Sequence, residues 1–273
     1  IVADGWSLGI VMREIGYFYN RFVNNQAISL AKLPIQYADF TVWQRMWLQG
    51  EILGRQLDYW KEQLKDSPPY LDLPFDKQRP QKQSHKGADV SFYLSTQLTE
   101  ELMDLGHESG VTLYMILLAV LQVLLFRYTK QDHINIGTPV ANRIHPDIEG
   151  IIGCFVNTLV MSTDLAGNPT FNALVERVKA VALGAYAHQS LPFERLVDSL
   201  HLDRSLNQSP LFQVMFVWQN FSTERLELPG LVLEMVPFET QTARFDLTLS
   251  MSWDGGKLRG MLEYNTDLFE EET

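Results

Sequence analysis

The sequence predicts an α/β fold, because segments typical of strands and of helices alternate over its second half. Long apolar segments with helical spacing lie at 111–126 and 172–187. Shorter segments typical of strands lie at 90–94, 133–137 and 211–219. A hairpin is predicted around Asp254-Gly255-Gly256, because a Gly-rich turn there separates two alternating segments.

Further elements follow from local patterns. Apolar and aromatic residues from Phe40 to Leu64 recur at steps that predict one long amphipathic helix, packed through its aromatic stripe. Thr112 is placed to cap the buried helix that follows it. Residues 231–239 are predicted to form another strand.

Composition limits the function classes. With 273 residues and 46% hydrophobic content, the chain can bury a large core, and its net charge of −11 argues against a nucleic-acid surface. The apolar segment 111–126 is shorter than a membrane span and contains Gln122, so a buried helix is predicted and no membrane association. The single cysteine, Cys154, excludes an internal disulfide and favours a cytoplasmic location.

One segment predicts a domain boundary. Residues 66–89 carry four prolines and have no helical or strand periodicity. We therefore predict one domain at 1–75, a crossover at 76–89 and a second domain at 90–273.

Common catalytic motifs are missing from the sequence. It has no phosphate-binding glycine loop, no paired metal-ligand histidines and no Gly-x-Ser-x-Gly elbow, so no bound cofactor or metal is predicted. Cys154 lies among apolar residues, which favours an inert buried thiol over a nucleophile. His188 follows a predicted helix, and a structural role is favoured over that of a base.

Six segments in one order resemble the condensation domains of non-ribosomal peptide synthetases. They are "DGWS" at 4–7, "YADFTVW" at 37–43, "GTPVANR" at 137–143, "IGCFVNT" at 152–158, "HQSLPFE" at 188–194 and "DRSLNQSPLFQVMF" at 203–216. Each segment alone is weak, but together they span nearly the whole chain. The usual family order in the last segment is Arg-Asp, so Asp203-Arg204 departs from it and no role is assigned to these two residues.

The resemblance implies a two-lobed, chloramphenicol acetyltransferase-like mixed-sheet sandwich with a tunnel between the lobes. The predicted first domain then forms part of the first lobe, which is incomplete, and 90–273 forms the second. The implied partners are upstream and downstream peptidyl carrier domains and an adjacent adenylation domain. The carriers bring donor and acceptor thioesters on phosphopantetheine arms, an amide bond forms between them, and the domain itself binds no cofactor.

The resemblance also bears on both ends of the chain. In the family motif HHxxxDG two histidines precede three variable residues, and Ile1, Val2 and Ala3 occupy those three positions here. We therefore expect the catalytic histidines upstream of Ile1, a sequence truncated at both ends, and no activity from this fragment alone.

The resemblance also assigns candidate site residues, each by its position in the family motifs. Asp4 matches the motif aspartate and is expected to form a desolvated, bidentate ion pair with Arg143 of the second lobe. Without the resemblance, Arg143 is interpreted as a solvated surface residue. Gly5 matches the motif glycine, which leaves room for substrate and whose N–H can face an oxyanion, and it also fits a simple turn.

Other residues are candidates for lining the substrate tunnel or for packing. Trp6 and Ser7 are expected to shape the start of the first helix, with Ser7 as its cap. The remaining candidates match two further family segments: Asn157, Thr158, Gln189, Pro192 and Phe193.

Two questions stay open at this stage. Gly5, Leu8-Gly9 and "HQSLPFE" most resemble the subclass that joins an L-configured donor to an L-configured acceptor. The alternative to an acyltransferase is a non-catalytic module of the same fold that binds carrier proteins.

Overall fold

The structure is a computed structural model that describes residues 2–202, 207–219, 228–233, 236 and 241–273. Within these residues it confirms the α/β class, with eight helices and a mixed sheet of six strands. The helices are α1 (Gly5–Val23), α2 (Tyr37–Trp47), α3 (Gly50–Leu64), α4 (Thr96–Ser109), α5 (Leu113–Thr129), α6 (Pro146–Glu149), α7 (Phe171–Ala187) and α8 (Phe193–Ser199). The strands are β1 (Gly87–Tyr93), β2 (His133–Val140), β3 (Asn157–Asp164), β4 (Val214–Gln219), β5 (Leu247–Asp254) and β6 (Lys257–Asn265).

The sheet has the strand order β1-β6-β5-β4-β2-β3. β6 pairs antiparallel with both β1 and β5, whereas β4 pairs parallel with β5 and with β2. Helix α5 packs on the sheet, and its Tyr114 ring stacks on Phe216 of β4 with centroids 5.3 Å apart. The predicted hairpin is confirmed, because Asp254 pairs with Lys257 across Gly255-Gly256 and both glycines have positive φ.

The prediction of one helix over 40–64 is wrong. Helix α2 ends at Trp47 and α3 begins at Gly50, whose φ of +53° is left-handed. The residues of the predicted aromatic stripe are therefore divided between two helices. Trp60 of α3 is buried, while Met46 of α2 is 73% exposed.

Other local predictions have mixed outcomes. The Thr112 side chain caps α5 by accepting from the Met115 N–H, as predicted. Val90 and Phe92 lie in β1, but both are exposed, so their alternation does not mark a buried face. Of the predicted strand at 231–239, residues 231–233 and 236 are not in a strand and the others lie outside the described residues. Asp203, Arg204 and Ile1 also lie outside them.

The chain divides into two compact units. The first unit comprises residues 1–54, 140–157 and 221–239, and the second comprises 55–139, 158–220 and 240–273. These units differ from the linear division into 1–75, 76–89 and 90–273, because residues 140–157 pack with the N-terminal helices. The predicted lobe boundaries therefore stay a prediction.

Each unit has its own core. In the first unit, Phe40 packs with Ile148, Ile151 and Phe155. In the second unit, the fully buried side chains include Ile116, Leu118, Ile134, Ile136, Leu159 and Phe216. The crossover residue Arg79 forms a buried ion pair with Asp246, which holds the proline-rich segment to the second unit.

Over the described residues, no single helix has the length and apolar composition to cross a membrane. Only α4 and α5 taken together meet that test, and they are bent by 108°.

Candidate functional site

The first turn of α1 is held by Asp4. This residue is the N-cap, and its Oδ1 accepts hydrogen bonds from the Ser7 N–H at 2.8 Å and the Ser7 hydroxyl at 2.7 Å. The prediction that Ser7 is the cap is wrong, because α1 begins at Gly5 and Ser7 lies within its first turn.

Arg143 approaches the same carboxylate from residues that follow β2. Its Nη2 lies 3.1 Å from Oδ1 and 3.4 Å from Oδ2 of Asp4, and 3.0 Å from the Ser7 Oγ. Its Nη1 donates to the carbonyls of Ile148 and Ile151. The contact is an ion pair, but it is not the expected two-nitrogen bidentate pair, because Nη1 is used to hold the 148–151 backbone.

Both members of the Asp4–Arg143 ion pair are buried. The side chain of Arg143 is 1% exposed and that of Asp4 is 3% exposed. Burial raises the pKa of Asp4, but the hydrogen bonds from Ser7 and the Phe155 N–H, together with the charge of Arg143, hold it below the usual aspartate value. Asp4 is therefore ionised at neutral pH.

Aromatic rings lie against the guanidinium. The Arg143 Cζ is 4.2 Å from the Phe155 ring centroid and 5.7 Å from that of Trp6. The Trp6 indole N–H donates to the Glu149 carbonyl at 2.9 Å. Trp6 therefore connects α1 to the segment after β2.

Residues 153–155 are held by partners that the sequence patterns do not predict. The Gly153 N–H and carbonyl contact the Ser7 hydroxyl at 3.1 and 2.9 Å. The Tyr37 hydroxyl donates to the Cys154 carbonyl at 2.8 Å, and a Cβ added to Gly153 would lie 2.3 Å from the Tyr37 ring. A signal was available, since these residues all lie in the segments "DGWS", "YADFTVW" and "IGCFVNT".

Three of the predicted site residues lie close in sequence to the residues of this network. Gly5 is exposed at the first position of α1, where an N–H has no partner within the helix. Asn157 is buried at the start of β3, and Thr158 beside it is half-buried. Cys154 is half-buried and unpaired as a thiol.

Three other candidates belong to the second unit. The Gln189 side chain donates to the Tyr186 carbonyl at 3.0 Å, and Pro192 is the N-cap of α8. Phe193 packs against Phe212 with ring centroids 5.5 Å apart. These contacts describe packing at the ends of α7 and α8, and the tunnel role stays a prediction.

His188 is also engaged in packing. Its ring stacks on Tyr59 at 3.8 Å, and its Nδ1 lies 2.8 Å from the Gly184 carbonyl. Burial raises the pKa of Tyr59 to about 12, so this hydroxyl stays protonated. Among the described residues, no group of three or more His, Cys, Asp or Glu is placed to hold a metal ion.

The family model described as "Condensation domain" matches residues 1–273, the whole chain. The chain belongs to the condensation-domain family. Its predicted fold, that of the chloramphenicol acetyltransferase-like superfamily, is thereby confirmed. The network at Asp4 lies where four family segments meet, within the first unit.

Similar proteins carry this domain within larger chains. A linear gramicidin synthase from Brevibacillus parabrevis is 49% identical over the whole of this chain, which covers 5% of that protein's length. The chain thus spans a small part of the curated relatives that it matches.

Solved structures share the fold of this chain. The X-domain from teicoplanin biosynthesis has a TM-score of 0.90 and 27% identity, with 99% of this chain and 63% of that chain covered. Another structure shows the X-domain in complex with OxyB. A four-domain nonribosomal peptide synthetase bound to AMP and glycine has a TM-score of 0.83 and 25% identity, with 99% and 21% covered.

Proposed function

We propose that the chain is part of a condensation domain that joins two carrier-bound thioesters through an amide bond. The nitrogen of the acceptor's amine attacks the donor's thioester carbonyl carbon, so a C–N bond forms and the C–S bond breaks. The amine loses a proton, and the carrier's phosphopantetheine leaves as a thiol. The observation that carries this proposal is the buried Asp4–Arg143–Ser7 network at the start of α1, in a chain of this family.

Each residue of the motif has a distinct task in this proposal. Asp4 fixes the turn that precedes α1, because its carboxylate is bound by groups from two segments. Gly5 offers a backbone N–H at the start of a helix, where partial positive charge stabilises a developing oxyanion. Positioning two tethered reactants contributes several kcal/mol to such a reaction.

Residues 1–273 are proposed to be inactive by themselves. The family motif places its histidines before the three residues that precede Asp4, and none of the six histidines of the sequence lies there. The base that accepts the amine's proton is therefore proposed to lie outside residues 1–273.

The proposed partners are upstream and downstream peptidyl carrier domains and an adjacent adenylation domain. Support comes from relatives that are multidomain synthetases, among them the four-domain one bound to AMP and glycine. The proposed subclass joins an L-donor to an L-acceptor, on the basis of Gly5, Leu8-Gly9 and "HQSLPFE".

The alternative function is a non-catalytic binding module. Similarity to the X-domain, a structure of which exists in complex with OxyB, favours it. In that case the network at Asp4 serves the fold alone.

A condensation assay tests the proposal. The synthetase that carries these residues is given donor and acceptor thioesters on its carriers, and amide product is measured by mass spectrometry with L- and D-configured donors. We expect product with the L-donor and at least tenfold less with the D-donor. No product with either donor overturns the catalytic proposal, and equal rates overturn the subclass.

A further inference from the structure

The Ser7 hydroxyl lies at the centre of the network and is completely buried. Its oxygen is within hydrogen-bond distance of four groups: Asp4 Oδ1 at 2.7 Å, the Gly153 carbonyl at 2.9 Å, Arg143 Nη2 at 3.0 Å and the Gly153 N–H at 3.1 Å. The hydroxyl therefore joins α1 to Arg143 and to the backbone at Gly153.

A hydroxyl suits these neighbours because it both donates and accepts hydrogen bonds. Asp4 can only accept hydrogen bonds, and the guanidinium of Arg143 can only donate them. Ser7 donates its single proton to one acceptor and accepts from both the Gly153 N–H and Arg143. Its removal takes this acceptor from the Gly153 N–H and from Arg143 Nη2, and Arg143 keeps its contact with Asp4.

Donors from three segments of the chain converge on the Asp4 carboxylate. The carboxylate accepts from the Ser7 N–H, the Ser7 hydroxyl, the Phe155 N–H and one Arg143 N–H. The Ser7 oxygen takes the second Nη2 proton and the Gly153 N–H. The single Ser7 proton has two acceptors in reach, Asp4 Oδ1 and the Gly153 carbonyl, and either bond ties the turn from Asp4 to Ser7 to its neighbours.

Gly153 is fixed from both sides. Ser7 contacts its peptide groups, and the Tyr37 ring covers its Cα, where a Cβ would lie 2.3 Å from ring carbon Cδ2. The backbone at Gly153 is therefore closely packed where Ser7 contacts it.

We propose that Ser7 is a positioning residue for condensation: its hydroxyl fixes the Asp4–Gly5 turn against Arg143 and Gly153, and so sets the place of the Gly5 N–H. This inference rests on the proposed function. Ser7 does not contact the substrates in this role, so its loss lowers the rate of the chemical step and leaves substrate affinity unchanged.

The test uses the complete synthetase with loaded carriers. Ser7→Ala is compared with Ser162→Ala, which removes another buried, hydrogen-bonded hydroxyl, in β3 of the second unit. Rates are expressed per folded molecule. We expect Ser7→Ala to lower kcat by about ten- to a hundredfold with KM for the acceptor carrier unchanged, and Ser162→Ala to leave both constants within about twofold of the unsubstituted protein.

Conservative replacement provides the second readout. Ser7→Thr keeps the hydroxyl and is expected to restore most of kcat, whereas Ser7→Cys, with a weak S–H donor, is not. Equal losses for Ser7→Ala and Ser162→Ala, or a change in KM alone, overturn the inference. If Ser7→Ala does not fold, the test rests on Ser7→Thr and Ser7→Cys. Equal kcat values for these two variants overturn the inference. Absence of product from the unsubstituted synthetase is a separate outcome that rejects the proposed function itself.

Discussion

Arg143 contacts Asp4 through one terminal nitrogen and uses the other to hold the backbone carbonyls of Ile148 and Ile151. Neither residue has solvent access to replace the lost contacts. The pair therefore links the start of α1 to the segment around α6, and each member leaves an unpaired buried charge when the other is removed.

A double-mutant cycle should show this coupling. Asp4→Ala or Arg143→Ala is expected to cost about 3–5 kcal/mol in the free energy of unfolding, because the remaining charge is buried and unpaired. The double variant should lose less than the sum. Urea unfolding measures all four proteins, and additivity within about 0.5 kcal/mol would show that the residues are not coupled.

Arg143→Lys should not restore the stability that is lost in Arg143→Ala. One ammonium cannot reach the Asp4 carboxylate and two carbonyls at once, whereas the planar guanidinium donates to both sides. The same urea unfolding measures the stability of Arg143→Lys. A value within about 1 kcal/mol of the unsubstituted protein contradicts this interpretation.

The pH dependence of stability should report the ionised state of Asp4. Its pKa is lowered in the folded protein relative to about 3.9 in an unfolded chain. The carboxylate thus contributes stability that is fully present above about pH 4 to 5 and is lost as the pH falls through the folded pKa. The stability difference between the unsubstituted protein and Asp4→Asn, followed by urea unfolding from pH 3 to 7, should shrink at the acidic end. A constant difference argues against an ionised Asp4.

Two glycines of one loop offer a matched comparison. Gly153→Ala places a Cβ 2.3 Å from the Tyr37 ring, whereas Gly150→Ala meets Leu33 at an ordinary 3.4 Å. We expect the first change to cost about 1–3 kcal/mol by overpacking and the second to be much milder. Equal thermal midpoints for the two variants would refute the close packing of Tyr37 on Gly153.

The exposed apolar face of α2 should promote association of the 273-residue chain. Val42, Trp43 and Met46 are exposed there beside Trp47 in a shallow groove. Met46→Glu is expected to reduce self-association in light scattering, and Gln49→Glu, with the same charge at an exposed position outside the groove, is the control. A monodisperse unsubstituted chain would argue against this expectation.

Residues 1–273 alone should form no amide product above the uncatalysed background. The reason is the absence of a histidine at the motif positions before Asp4. Carrier-bound substrates and mass spectrometry measure this directly, with the complete synthetase as the positive control. Clear product from the isolated chain would place the base within these residues.

The alternation of strand and helix patterns predicts the fold class, whereas only the family segments predict that Asp4 meets Arg143, and they do not predict that Nη1 of Arg143 holds backbone carbonyls. It failed where the outcome depends on distant contacts. The break between α2 and α3 depends on the left-handed backbone of Gly50, and the exposure of Val90 and Phe92 depends on which faces of the sheet are covered. The contacts of Ser7 with Gly153 and Arg143 are not predicted from the sequence, because these partners are more than 130 residues away.

The pairing of β1 with β6 has a consequence for biosynthesis. Gly87 pairs with Asn265, so β1 leaves the ribosome about 180 residues before its only partner strand among the described residues. At about 5–20 residues per second, translation leaves this strand unpaired for roughly ten to forty seconds. During that interval the backbone hydrogen-bonding groups of β1 are open to wrong pairing. The strands of the β5–β6 hairpin are separated by only two residues, so they can pair as soon as both have been synthesised.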